Sequence, residues 1–327
     1  MPTNHIAEFA ALGTAVCWTV TAVVFEWASR QVGSLPVNLI RLVLAFLYLA
    51  GYSLLVRGAP LPLNAGPGAW AWLSISGLVG FVIGDLFLFQ AFVLIGSRVS
   101  MLIYSIVPPL TALLGWVVLG ERLSLLAIFG MAFTVCGIAV VVLQRTSSGT
   151  PKVDAVAARV PHAPPSGTAV ETAARLQSGR VALTHPLKGV AFAVGGALGQ
   201  AGGLVLSKLG APTFDPFGAT EIRSIAGIVG FATIFLVARK WRQVGAALSH
   251  RPAMTRIAIG AFFGPFLGVS LGLFAAQHST TGVASTIMSL VPVFIIAPAV
   301  ILFRERVTLR EIAGAIVAVG GTALLFF

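Results

Sequence analysis

The chain has 327 residues, 57% of them hydrophobic and only 9% charged, with a mean hydropathy of +0.97. Soluble domains carry about 25% charged residues, so this composition excludes a water-soluble globule and makes lipid the solvent. The net charge of +11 needs no nucleic-acid partner, because Lys and Arg collect in the loops of membrane proteins.

A crossing takes about 20 mostly apolar residues. Ten stretches meet that requirement, roughly 6–29, 36–56, 69–94, 97–119, 123–143, 187–208, 216–238, 254–277, 281–303 and 308–327. The first has no basic segment before it and no small-residue cleavage site after it, so it reads as a retained helix. Cys17 and Cys136 lie inside apolar runs and read as small packing residues. Very short turns follow the third, fourth, eighth and ninth stretches and predict antiparallel hairpins. Between the fifth and sixth stretches, Gln144–Pro186 is rich in Ser, Thr, Ala, Pro and Gly, carries Arg145, Lys152, Arg159, Arg175 and Arg180, and reads as a flexible linker.

The two sides of that linker repeat each other. At an offset of 184, Gly80 matches Gly264, Ser105 matches Ser289, Pro108 matches Pro292, Glu121-Arg122 matches Glu305-Arg306, and Gly137 matches Gly321. At an offset of 182, Gly13 matches Gly195 and Ile40-Arg41 matches Ile222-Arg223. The expected organisation is residues 1–143 as one five-helix repeat, 144–186 as linker and 187–327 as the second repeat. An odd number of spans per repeat predicts an inverted pair, with a pseudo-two-fold axis in the membrane plane. The expected fold class is an all-α integral membrane protein of ten transmembrane helices. The cluster Arg239, Lys240 and Arg242, together with the basic linker, places those loops in the cytoplasm and both termini outside.

Chemistry is sought in polar groups within apolar runs, since a charge at mid-bilayer costs about 2.5–3.5 kcal/mol and faces a cavity or a partner. Asp85 has no charged neighbour in sequence, and its repeat counterpart is Val269. It reads either as a carrier of a coupling proton or contact for a cation, or as a buried carboxyl bonded to another helix. Arg41 and Arg223 are counterparts near the starts of the second and seventh spans, with Glu221 two residues before the latter. They read either as contacts for an anion at a cavity entrance or as snorkelling and structural ion pairs. Glu26 admits the same two readings, with Arg30 one turn on as a partner. Trp18, Gln90, Tyr104 and Gln200 complete the candidates for substrate binding or coupling. Tyr104 stands one turn before Pro108, where a helix must bend and free a carbonyl. The glycines at 195, 199 and 203, at 77, 80 and 84, and at 260, 264 and 268 form strips suited to close helix packing. Ser124 and Thr308 are placed as N-caps after the Glu-Arg turns.

No G-x-S-x-G, H-E-x-x-H, Walker A or Cys-x-x-Cys motif is present, so no enzyme, metal or cofactor is expected. The repeated turn, V-P-P-x(10)-G-E-R-L at Val107–Leu123 and V-P-V-x(10)-R-E-R-V at Val291–Val307, resembles that of the EamA-type transporters of the drug/metabolite transporter superfamily. The resemblance covers nearly the whole chain outside the linker. It implies a bacterial inner-membrane carrier, often an exporter of amino acids or related metabolites, with a cavity lined by spans one to four and six to nine. The expected function is secondary transport of a small-molecule substrate by alternating access, by a monomer or homodimer in the lipid bilayer, with a proton as the candidate coupling ion. A membrane-embedded enzyme or lipid-modifying subunit, or a passive channel, are the alternatives.

Overall fold

The computed structural model describes residues 6–120, 125–145, 181–183, 186–210, 212–278, 287–303 and 308–324. Apart from one short strand pair, every regular element among them is helical. The first half contains α1 (Ile6–Val32), α2 (Ser34–Arg57), α3 (Pro67–Gly77), a π-helical segment at Leu78–Gly84, α4 (Asp85–Tyr104), α5 (Val107–Leu119) and α6 (Leu125–Val142). Strands β1 (Leu143–Arg145) and β2 (Val181–Leu183) pair antiparallel, with Leu143 opposite Leu183. The second half contains α7 (Leu187–Gly210), α8 (Pro216–Ala238), α9 (Trp241–Ser249), α10 (Arg251–Ala261) and a second π-helical segment at Phe262–Gly268. It continues with α11 (Val269–His278), α12 (Val291–Phe294), α13 (Ile296–Phe303) and α14 (Leu309–Leu324).

Six helical runs among the described residues are long and apolar enough to cross a membrane, and two shorter apolar helices, Val107–Val118 and Ile128–Val140, accompany them. Ten such helices are not counted among the described residues, and parts of the expected spans 281–303 and 308–327 lie outside them. Pro67–Tyr104 counts as one run of 38 residues, but two helices are joined within it at a kink at Gly96, between the expected third (69–94) and fourth (97–119) spans. Straight, it would extend about 57 Å at 1.5 Å per residue, nearly twice the hydrocarbon thickness. It turns instead at Gly96, whose φ of 78° and ψ of 160° suit a residue without a Cβ. Contacts with α7 show the reversal. Gly189 meets Ile95, Gly196 meets Leu88 and Gly203 meets Gly80, so this run passes antiparallel along α7. Beyond the turn, Val107 packs back against Ala197 and Ala201 of the same helix.

The expected proline break is present. α4 ends at Tyr104, Ser105 and Ile106 form a turn, and α5 restarts with proline in its first turn, where no interior hydrogen bond is lost. The second half turns at Ser289-Leu290 and restarts at Val291-Pro292. The Glu121-Arg122 and Glu305-Arg306 turns, Ser124 and most of the linker lie outside the described residues. Thr308 does cap its helix: its Oγ1 accepts from the Glu311 N–H at 3.3 Å while Glu311 accepts from the Thr308 N–H at 2.7 Å, a reciprocal capping box. The 239–252 stretch, expected as a loop, contains α9, with Trp241 packed on Phe235.

Packing follows the glycine strips, but across the repeats. A Cβ on Gly199 would stand 2.5 Å from the Gly84 Cα, and one on Gly203 would stand 3.0 Å from the Gly80 Cα. In lipid, where apolar burial does not drive helices together, such close backbone approach supplies the contact. The counterpart contact joins α1 to the second π-helical segment, Thr21 to Gly264 and Trp18 to Gly268. Each half thus lays its first helix on the π-helical segment of the other. The two π-helical segments are themselves related by the 184 offset, Leu78 to Phe262 and Gly84 to Gly268. At the periphery Gly137 meets Gly314 and Ala318, and Gly321 meets Gly130 and Thr134. These contacts are reciprocal and run in opposite senses, so α6 and α14 are antiparallel. Large apolar side chains such as Leu55 (88% exposed) and Val237 (79%) cover the outside, as a lipid-facing surface requires.

Candidate functional site

A cavity of about 70 Å³ lies where α1, α2, α4, α7 and the two π-helical segments converge. It sits on the α1 side, and the reason is visible in the cross-packing. Gly199 and Gly203 close the α7 contact, whereas their counterparts on α1 at the 182 offset are Cys17 and Thr21, and Thr21 and Trp18 meet Gly264 and Gly268 through side chains. Of the residues expected from sequence, Trp18, Arg41, Asp85, Tyr104 and Gln200 line this space. Trp18 and Gln200 are themselves counterparts at the 182 offset.

Asp85 and Arg41 form an ion pair in the cavity wall, made through Arg41 Nη2 and Asp85 Oδ2. Asp85 is the first residue after the π-helical segment, whose wider turn re-aims the side chains beyond it. Asn38, one turn before Arg41, accepts from Arg41 Nε at 3.0 Å through its own Oδ1 and donates to the Asp85 carbonyl at 3.4 Å. Three rings surround the guanidinium, with centroids 4.7 Å (Phe89), 5.7 Å (Phe25) and 5.9 Å (Phe81) from its central carbon. This is a buried charge pair in an aromatic shell, where electrostatic interactions are strong because water is excluded. Of the paired readings for Asp85, bonding to a neighbouring helix is the one present in this geometry.

Arg223 lies behind the lining. Its guanidinium carbon is 4.6 Å from the Phe81 ring centre, and both its Nη2 and the Gln200 Oε1 stand beside Gly80, 3.0 Å and 3.8 Å from where a Cβ there would lie. The remaining candidates are away from the cavity. Glu26 is held by the turn at Gly96: it accepts from the Ser97 N–H at 2.7 Å and pairs with Arg30 at 2.7 Å. Gln90 accepts from the Ser34 hydroxyl at 2.9 Å. Glu221 accepts from the Ser53 hydroxyl at 2.9 Å. Each of these joins helix to helix.

Sequence reasoning does not find the aromatic wall. Phe25, Phe81, Phe89 and Phe92 line the cavity with Pro265 and Val269. Among 22 phenylalanines nothing local marks these four. The available signal is position, since Phe25, Phe81 and Phe89 fall within about one helical turn of Glu26, Asp85 or Gln90.

A helical, lipid-facing bundle whose two halves cross-pack around a charged, aromatic-walled cavity is that of a multi-pass membrane protein. The profile of the EamA-like transporter family matches twice, over residues 5–143 and 187–327. The chain belongs to the EamA-like transporter family, within the drug/metabolite transporter superfamily, and is a membrane transporter. Eighteen chains of solved structures match it. One, a protein crystal structure 16% identical in sequence, superposes with a TM-score of 0.59 over 97% of this chain and 95% of its own, a likeness of fold. No curated protein matches significantly.

Proposed function

We propose that this protein is a secondary carrier that moves a small metabolite, an amino acid or related compound, by alternating access, in the export direction, across the bacterial inner membrane. Its architecture in this reading is ten spans in two inverted five-helix repeats. The antiparallel, reciprocal contact of α6 and α14 supports the inversion, because an axis along the membrane normal would leave equivalent helices parallel. The observation that carries the reading is the Arg41–Asp85 pair in the wall of a cavity to which both halves contribute. Buried charge in a bilayer is costly and marks a pathway, and a cavity at a repeat interface is where rocking repeats expose a site to either side.

The direct test is counterflow in liposomes containing the purified protein and loaded with unlabelled amino acids. Saturable counterflow supports a carrier, and flux that neither saturates nor exchanges would sink it in favour of a channel. A coupling proton on Asp85 has to displace Arg41. If Asp85 carries that proton, Asp85→Asn will still exchange solute yet lose acceleration by a pH gradient. Unchanged acceleration removes the role.

A further inference from the structure

The two buried arginines are counterparts, but of the two only Arg41 makes an ion pair with a carboxylate. Arg41 has Asp85 and Asn38. Arg223 is fully buried, and its Nε, Nη1 and Nη2 have no hydrogen-bond partner among the described residues. The symmetry explains this. The residue equivalent to Asp85 is Val269, which lines the cavity in the same way but carries no charge. The nearby carboxylates are committed elsewhere. Glu221 is two residues away on the opposite side of the helix and bonded to Ser53. Asp215 caps α8 through the Gly218 N–H and pairs with Arg57. Asp85 is held by Arg41. The three ionic groups at the centre therefore carry one net positive charge.

A guanidinium keeps its charge inside a protein, and an uncompensated buried charge costs several kcal/mol. The face of Phe81 offsets part of this but leaves the in-plane donors unused. Those donors form the planar fork that matches a carboxylate. Phe81 and Gln200 both line the cavity and flank the Arg223 head, so the fork lies one side-chain layer from the solute space. We propose that Arg223 binds the carboxylate of the transported solute, which takes the place of the aspartate that the second repeat lacks. The solute's carboxylate is thereby directed to the α8 side of the cavity, away from Asp85. This inference rests on the carrier reading above and adds to it the charge of the ligand group and the residue that holds it.

The test is thermal unfolding of the purified full-length protein in detergent, titrated with acetate, propionate and benzoate, with their amides, and with chloride. Carboxylates are expected to raise the melting temperature, by about 5 °C at a hundred-fold excess over Kd, and amides to leave it unchanged. Val269→Asp supplies the missing charge internally, so it should melt higher without ligand and lose the carboxylate response. Arg223→Gln should lose the response as well, and it decides the matter if the Val269 variant does not fold. Equal stabilisation by amides, a response to chloride that carboxylates do not exceed, no response to any carboxylate, or a full response in Arg223→Gln each overturns the proposal. A carboxylate response without counterflow would leave the anion site standing and remove the carrier reading.

Discussion

Removal of the Asp85 charge tests the energetics of the site most sharply. In Asp85→Asn the Arg41 guanidinium, 4% exposed and ringed by Phe25, Phe81 and Phe89, loses its counter-charge but keeps its own. Breaking a buried pair at one end costs about 3–5 kcal/mol, whereas replacing both partners with apolar groups is often neutral. The expected order is therefore Asp85→Asn least stable, Arg41→Met intermediate, and Arg41→Met with Asp85→Leu close to the parent. At roughly 2 °C per kcal/mol for a chain of this size, Asp85→Asn should lower the melting temperature by about 6–10 °C. The double variant should recover most of that loss. Fluorescence-detected unfolding in one detergent, run as a double-mutant cycle, reads the coupling directly. Additive single effects, or a loss below about 1 kcal/mol for Asp85→Asn, would mean that the pair is not the desolvated contact the geometry describes.

Packing and capping give two further expected outcomes. Gly199→Ala places a methyl 2.5 Å from the Gly84 Cα and 2.7 Å from its nitrogen; backbone cannot yield as a side chain does, so a loss of about 1–3 kcal/mol is expected. Gly51→Ala, with nothing within 4 Å, should melt at or above the parent temperature, and equal melting of the two variants would refute the cross-repeat contact. Thr308→Ala should cost about 1 kcal/mol and Thr308→Ser almost nothing; an equal loss in both would show that the hydroxyl does not cap α14.

Much of the site is legible residue by residue. Asp85, Arg41 and Tyr104 stand out because a polar group in an apolar run is expensive wherever the run is placed. The proline break at Pro108 and Pro292 is legible because the pyrrolidine ring acts on its own preceding turn. Glu26, Gln90 and Glu221 are equally conspicuous, yet they bond between helices away from the cavity. A carboxylate that caps the turn at Ser97 and one that binds a ligand carry the same signature in sequence. The aromatic wall is illegible for the opposite reason: phenylalanine is cheap anywhere in lipid, and its placement beside a cavity leaves no trace in composition.

The sequence by itself determined that lipid is the solvent, that the chain is duplicated, and where prolines must interrupt it. These properties are sums over residues or act within a single turn. Only the tertiary structure decided that each repeat lays its first helix on the other's π-helical segment, because that depends on which residues face each other across more than a hundred positions, as Gly84 faces Gly199 and Trp18 faces Gly268. It alone showed that Asp85 is bound to Arg41 rather than free. It also separated two arginines that look identical in sequence, since a guanidinium's partner is set by which helix face turns toward it. Arg41 meets an aspartate, and the second repeat offers Arg223 only a valine at the equivalent place.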